Sequence, residues 1–197
     1  MEKVSKKFMR TALALFVSTV VAVIILQSFV FGHGFNMHWS ISRYMGTSVW
    51  SAIVFAISNL AIIIMMVNYL KRLRKKYGFS KLWFAIVVIM IASFAMLSIC
   101  PVGLFDANWG DYGVVSTIHR NSSYVLFGAM FAIAIDTLIE HRKRSRLLTI
   151  YGIFLLAYAV FSFFGYIYAP HFYIDYILFY EAAYIIFNII FYGLIPE

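Results

Sequence analysis

The stretch TALALFVSTVVAVIILQSFVFG at residues 11–32 decides the fold. It runs for about 22 residues without a charged side chain, and as an α-helix that is enough to cross roughly 30 Å of hydrocarbon. The preceding MEKVSKKFMR at 1–10 resembles the charged head of a signal peptide. The apolar run is too long for such a peptide's central region, and no small-x-small cleavage site follows it cleanly, so the expectation is a retained first spanning helix.

Working outward, five further runs of similar length follow. The six expected helices lie near residues 9–31, 47–70, 82–101, 121–139, 147–169 and 174–195. Their apolarity is continuous and lacks the period-two alternation of a transmembrane strand, which argues against a β-barrel. Composition agrees: 63% of the 197 residues are hydrophobic and 12% charged, with a mean hydropathy of +0.88, far from the balance of a soluble domain. The expected fold is an all-α integral membrane bundle of six transmembrane helices, a single domain over 1–197 with no repeat, linker or low-complexity segment.

The chain has 16 Lys and Arg against 8 Asp and Glu. In a soluble protein this excess would suggest nucleic acid as a partner, but here the basic residues sit in short loops between apolar runs and read as topology signals. Lys3, Lys6, Lys7 and Arg10 precede the first helix, Lys71, Arg72, Arg74, Lys75, Lys76 and Lys81 follow the second, and Arg142, Lys143, Arg144 and Arg146 follow the fourth. Placing all of these on the cytoplasmic side puts both termini there and leaves Arg43 and Arg120 outside. No nucleic-acid partner is expected; anionic lipid headgroups are.

The outer connections carry the chemical variety. GHGFNMHWSISRYMG at 32–46 and PVGLFDANWGDYGVVSTIH at 101–119 hold His33, His38, Trp39, Tyr44, Asp106, Trp109, Asp111, Tyr112 and His119. Loops on a rigid scaffold are where binding groups concentrate, although Trp and Tyr at this depth also serve as interfacial anchors. Arg43 and Arg120, on the side that disfavours them, call for partners: Glu181, Asp106, Asp175 or a bound anion such as a lipid phosphate.

Inside the expected spans, Glu181 stands out, about two turns into a helix that begins near Ile174. A carboxyl at such depth is costly unless paired, protonated or facing water. Glu181, Tyr184 and Asn188 fall on one helix face, and Ser48, Ser51, Ser58 and Asn59 form a polar side on the second helix. These stripes either line a hydrated cavity or serve as interhelical hydrogen bonds. Small residues at four-residue spacing, Ser48, Ala52 and Ala56 and then Gly128 with Ala132, predict close helix contacts. Asp136 is expected to pair with the Arg142 to Arg146 cluster.

Motifs for familiar chemistries are missing. There is no HExxH, CxxC, Walker loop, GxSxG or dinucleotide fingerprint, and the single Cys100 cannot form an intrachain disulfide. His33 and His38 lie five apart in an expected loop, and no pair of histidines suits a membrane haem, so neither a metal nor another cofactor is expected.

The segment SISRYMGTSVWSAIVFAISNL at 40–60, the helix ending in CPVGLF and the IHR from Ile118 resemble the domain-of-unknown-function 998 family. The resemblance implies a multi-pass protein of a prokaryotic cell membrane without an established activity. It draws attention to Ser40, Ser42, Tyr44, Pro101 and His119.

The leading expectation is a protein that binds a lipid headgroup or small anion at an outward-facing pocket of Ser40, Ser42, Arg43, Tyr44, Arg120, Glu181 and Tyr184, or an accessory subunit of a membrane complex. Membrane lipids are the expected partners, with a further membrane subunit or a second copy as alternatives. A second reading is an outer-leaflet enzyme with His119, Asp106 and Glu181 as acid-base groups or metal ligands. A third is a small proton-coupled carrier centred on Glu181.

Overall fold

In hydrocarbon every backbone N–H and C=O must find its partner inside the protein, and a helix does this within one segment. The computed structural model describes residues 2–100, 113–141 and 145–195, and these residues form helices and short connections with no β-strand. They comprise α1 (Glu2–Ile25), continued by a π-helical turn over Leu26–Val30, then α2 (Ile41–Gly46), α3 (Val49–Tyr77), α4 (Lys81–Ile99), α5 (Val114–His141), α6 (Arg146–Tyr168), α7 (Pro170–Asp175) and α8 (Ile177–Leu194). Six of them, α1, α3, α4, α5, α6 and α8, are long and apolar enough to cross a membrane.

Local chemistry sets the ends. Ser48, Ser80 and Ser145 each cap a long helix, their hydroxyls accepting the backbone N–H of Ser51, Trp83 and Leu148, which satisfies one of the free donors at a helix start. Gly78 ends α3 at φ +64°, a left-handed conformation that favours glycine, and its N–H donates to the Arg74 carbonyl. The 29 residues of α3 make a rod of about 43 Å, so its last turns, with Lys71 to Lys76, project beyond the hydrocarbon.

Each spanning helix packs on two others, which closes a ring in the order α1, α3, α4, α5, α6, α8. Inside it Phe16, Met66, Met90, Leu126, Ile133 and Phe191 are buried. A cavity of about 30 Å³ remains between α1, α3, α4, α5 and α8, room for about one water. The lysine- and arginine-bearing helix ends gather at one end of the ring, where Phe8 stacks on Tyr69 and Arg74 lies over Phe84. At the opposite end α2 rests on α1, α3 and α8, while α7 rests on α6 and α8.

Three expectations change. The fourth span begins at Val114 rather than near 121, so His119 lies inside α5 and not at its opening. The sixth begins at Ile177 because Tyr176, at φ −125° and ψ 23°, separates α7 from α8, and Glu181 is one turn into it rather than two. Gly128 does not mediate a close contact: a Cβ there would meet nothing within 4 Å, whereas Gly152 faces Leu138 and Gly193 faces Met9. Four-residue spacing identified small residues but not the face on which they lie.

Candidate functional site

The end of the bundle that carries α2 and α7 brings together several of the residues singled out from sequence. Ser40 caps α2, its hydroxyl accepting the Arg43 N–H at 3.1 Å and lying 2.8 Å from the Ser42 hydroxyl. The Ile41 N–H, next in this helix start, donates to Glu181 Oε2 at 2.9 Å across 140 positions of sequence. Glu181 therefore fastens α2 to α8, its oxygen satisfying one of the free N–H donors at the start of the short helix. Tyr44 closes the loop from within: its buried hydroxyl accepts from the Asn36 N–H at 2.7 Å and donates to the Asn36 carbonyl at 2.9 Å. Arg43 lies over the Trp39 ring, 4.8 Å from its centroid, a cation–π contact.

Near Glu181 stands an array of tyrosines. Tyr166 meets Tyr173 edge-on at 5.6 Å, Tyr173 stacks on Tyr180 at 4.6 Å, and Tyr180 approaches Tyr158 at 6.5 Å. Tyr158 in turn stacks with Tyr184 at 6.4 Å, and Tyr184 meets Phe127 edge-on at 5.3 Å. The rings descend from the exposed rim at Tyr166 to the buried Tyr184. Burial, and after it the charge of Glu181, push the Tyr173 hydroxyl above its usual range, so it stays protonated and able to donate.

The remaining expected residues stand on other elements, and Arg120 reaches the outer end of the tyrosine array through Tyr124, which contacts Tyr166. His119 is buried between α4 and α5, its Nδ1 2.7 Å from the Cys100 carbonyl oxygen. Arg120 is exposed on α5 beside Tyr124. The two arginines thus stand on different elements. Asp175 pairs with His38 at 3.2 Å, both side chains being more than half exposed. Pro101, Asp106, Trp109, Asp111 and Tyr112 fall outside the described residues, as do Arg142, Lys143 and Arg144; among the described residues Asp136 Oδ2 has no hydrogen-bond partner. No described hydrogen bond or ion pair joins His119 to Glu181. Among the described residues, no three His, Cys, Asp or Glu side chains gather closely enough to hold a metal.

The polar stripe on α8 is oriented as expected, since Tyr184 and Asn188 are buried in the bundle. Tyr184 donates to the Phe127 carbonyl at 3.4 Å and Asn188 Nδ2 to the Tyr184 carbonyl at 2.8 Å. Asn188 also lines the central cavity, and its Oδ1 is unpartnered. On α3, Asn59 bonds Ser98 of α4 at 2.9 Å, a structural link of the kind expected between spanning helices.

Sequence reasoning missed Gln27. It lies fully buried in the π-helical turn, and its amide nitrogen donates to Ser48 at 2.9 Å and to Ser51. The available signal was one amide near the end of an apolar run, opposite serines at the start of the next. Tyr158, Tyr173 and Tyr180 were equally hidden, because aromatic density near a membrane surface matches that of ordinary anchors.

No protein-family model matches the chain, and neither a curated protein nor a solved structure matches it. The chemistry therefore rests on the geometry of this rim: the Glu181 carboxyl, the Ser40 and Ser42 hydroxyls, Arg43 and the tyrosine rings of α6, α7 and α8.

Proposed function

We propose that the protein binds the polar headgroup of a membrane lipid where α2 and α7 flank the start of α8. The observation that carries this reading is the bond from the Ile41 N–H to Glu181, which brings Ser40, Ser42 and Arg43 of α2 onto the helix that bears Glu181. Hydroxyls and a guanidinium suit a phosphodiester, and a rim of tyrosines suits the depth at which headgroups lie. The positive-inside distribution of Lys and Arg supports an outer-leaflet position for this rim, with both termini in the cytoplasm. The resemblance to the 998 family draws attention to Ser40, Ser42 and Tyr44 of the same segment. Solute transport has less support, because the central cavity of about 30 Å³ offers room for about one water.

Native mass spectrometry of the gently purified chain tests the proposal. Wild type is expected to carry one phospholipid, and the Glu181→Gln, Arg43→Gln double variant to lose it while remaining folded by circular dichroism. Wild type that emerges bare, and takes up no phospholipid from added mixed micelles, overturns it.

A further inference from the structure

Glu181 uses half of its capacity within the protein. Oε2 accepts the Ile41 N–H, while Oε1 accepts no described hydrogen bond and is not among the fully enclosed unpartnered atoms. No described Lys, Arg or His lies within ion-pair distance of this carboxylate. A carboxylate in a membrane-spanning segment gains most from a counter-charge, because the surroundings screen it weakly.

Tyrosines stand beside this carboxyl. Tyr173 is close enough for its ionisation to be opposed by Glu181, and it stacks on Tyr180, the residue preceding Glu181. Ring faces attract cations through their quadrupole, and the phenol oxygens accept N–H donors. A phosphate placed here would meet the carboxylate with like charge, which the same weak screening makes unfavourable. An ammonium group meets a negative oxygen and aromatic rings together.

We infer that the ligand of this rim presents a cationic ammonium to Glu181 and the Tyr173–Tyr180 pair, as the headgroup of a zwitterionic phospholipid does. The inference rests on the headgroup reading above and adds the part of the headgroup that is recognised. Its phosphodiester would then lie toward Ser40, Ser42 and Arg43, on the α2 side of the same carboxylate.

The test compares ligands on the full-length protein in detergent, by native mass spectrometry and thermal shift. Phosphatidylethanolamine, phosphatidylglycerol and free phosphoethanolamine are added separately to wild type, to Glu181→Gln and to Tyr173→Leu. Phosphatidylethanolamine is expected to bind wild type about tenfold more tightly than phosphatidylglycerol. Both substitutions are expected to erase this preference by lowering phosphatidylethanolamine affinity to that of phosphatidylglycerol, and Tyr173→Leu keeps the comparison intact should Glu181→Gln fail to fold. Free phosphoethanolamine binding as tightly as the lipid would keep the ammonium site and identify its source as soluble. Equal binding of both lipids to wild type overturns the ammonium inference and leaves the headgroup reading standing; binding of neither lipid overturns both.

Discussion

The two ends of the bundle are built by different means. At the basic end aromatic and aliphatic packing dominates, with Phe8 stacked on Tyr69 at 4.4 Å, Phe79 on Trp83 at 4.1 Å, and Leu73, Trp83 and Leu148 fully buried. Two of these rings add a buried hydrogen bond, Tyr69 to the Tyr192 carbonyl and Trp83 to Thr137. At the α2 and α7 end the contacts between segments are largely polar, from Gln27 to Ser48 and Ser51, from Ile41 to Glu181, from His38 to Asp175 and from His119 to Cys100. Without a hydrophobic driving force between helices in lipid, close packing is what holds spanning segments together. The basic end is therefore expected to carry more of the stability than the polar contacts at the opposite end.

The sharpest way to break this contrast is to separate two helices at the basic end. A Cβ on Gly193 would lie 2.6 Å from Met9 Cβ, an atom fixed to the α1 backbone that cannot swing aside. Gly193→Ala should therefore force α1 and α8 apart and cost about 1–3 kcal/mol, seen as a clear fall in Tm in detergent. Gly152→Ala is the control: its added Cβ meets the terminal carbons of Leu138 at 2.6 and 2.9 Å, which can change rotamer. A Gly193→Ala protein as stable as wild type would mean that packing at this end is not dominant.

A smaller effect is expected at the other end, even from a fully formed buried contact. His119→Leu removes the hydrogen bond to the Cys100 carbonyl oxygen that ties the start of α5 to the end of α4. The cost should be about 1 kcal/mol, measurable as a modest shift in Tm with lipid binding at Glu181 preserved. Loss of lipid binding without loss of stability would instead make His119 part of the ligand site, as the enzyme reading required.

How much of this was legible depends on the kind of signal. The six spans were readable because apolar runs of the required length have few alternative meanings in a bilayer, and Glu181 was readable because a carboxyl in such a run is costly. The extra turns of α5 were not, since Ser116, Thr117, His119 and Arg120 make its start look like a loop. Nor was α2, whose ISRYMG is too short and polar to show a period. The partner of Glu181 was invisible for a deeper reason: it is a backbone N–H, which every residue but proline has, and only the fold selects Ile41 from the others. Side-chain chemistry suggested Arg43 or Arg120 as partners, and the geometry supplied a helix start instead.

The finest distinction concerns the clasp between His38 and Asp175, which joins the 32–40 loop to the end of α7. Their side chains are 58% and 53% exposed, so water and salt screen the pair, and ordering both side chains offsets much of the attraction. Asp175→Asn should change stability by no more than about 0.5 kcal/mol, within a degree or two of wild-type Tm, with little dependence on added salt. The loop has better anchors nearby in the buried Tyr44 hydroxyl, with its two bonds to Asn36, and in the Ile41 N–H on Glu181. A fall in Tm as large as that expected for Gly193→Ala would reverse the ranking, because an exposed ion pair would then be holding α2 over Glu181 and the polar end would bear load as the packed end does.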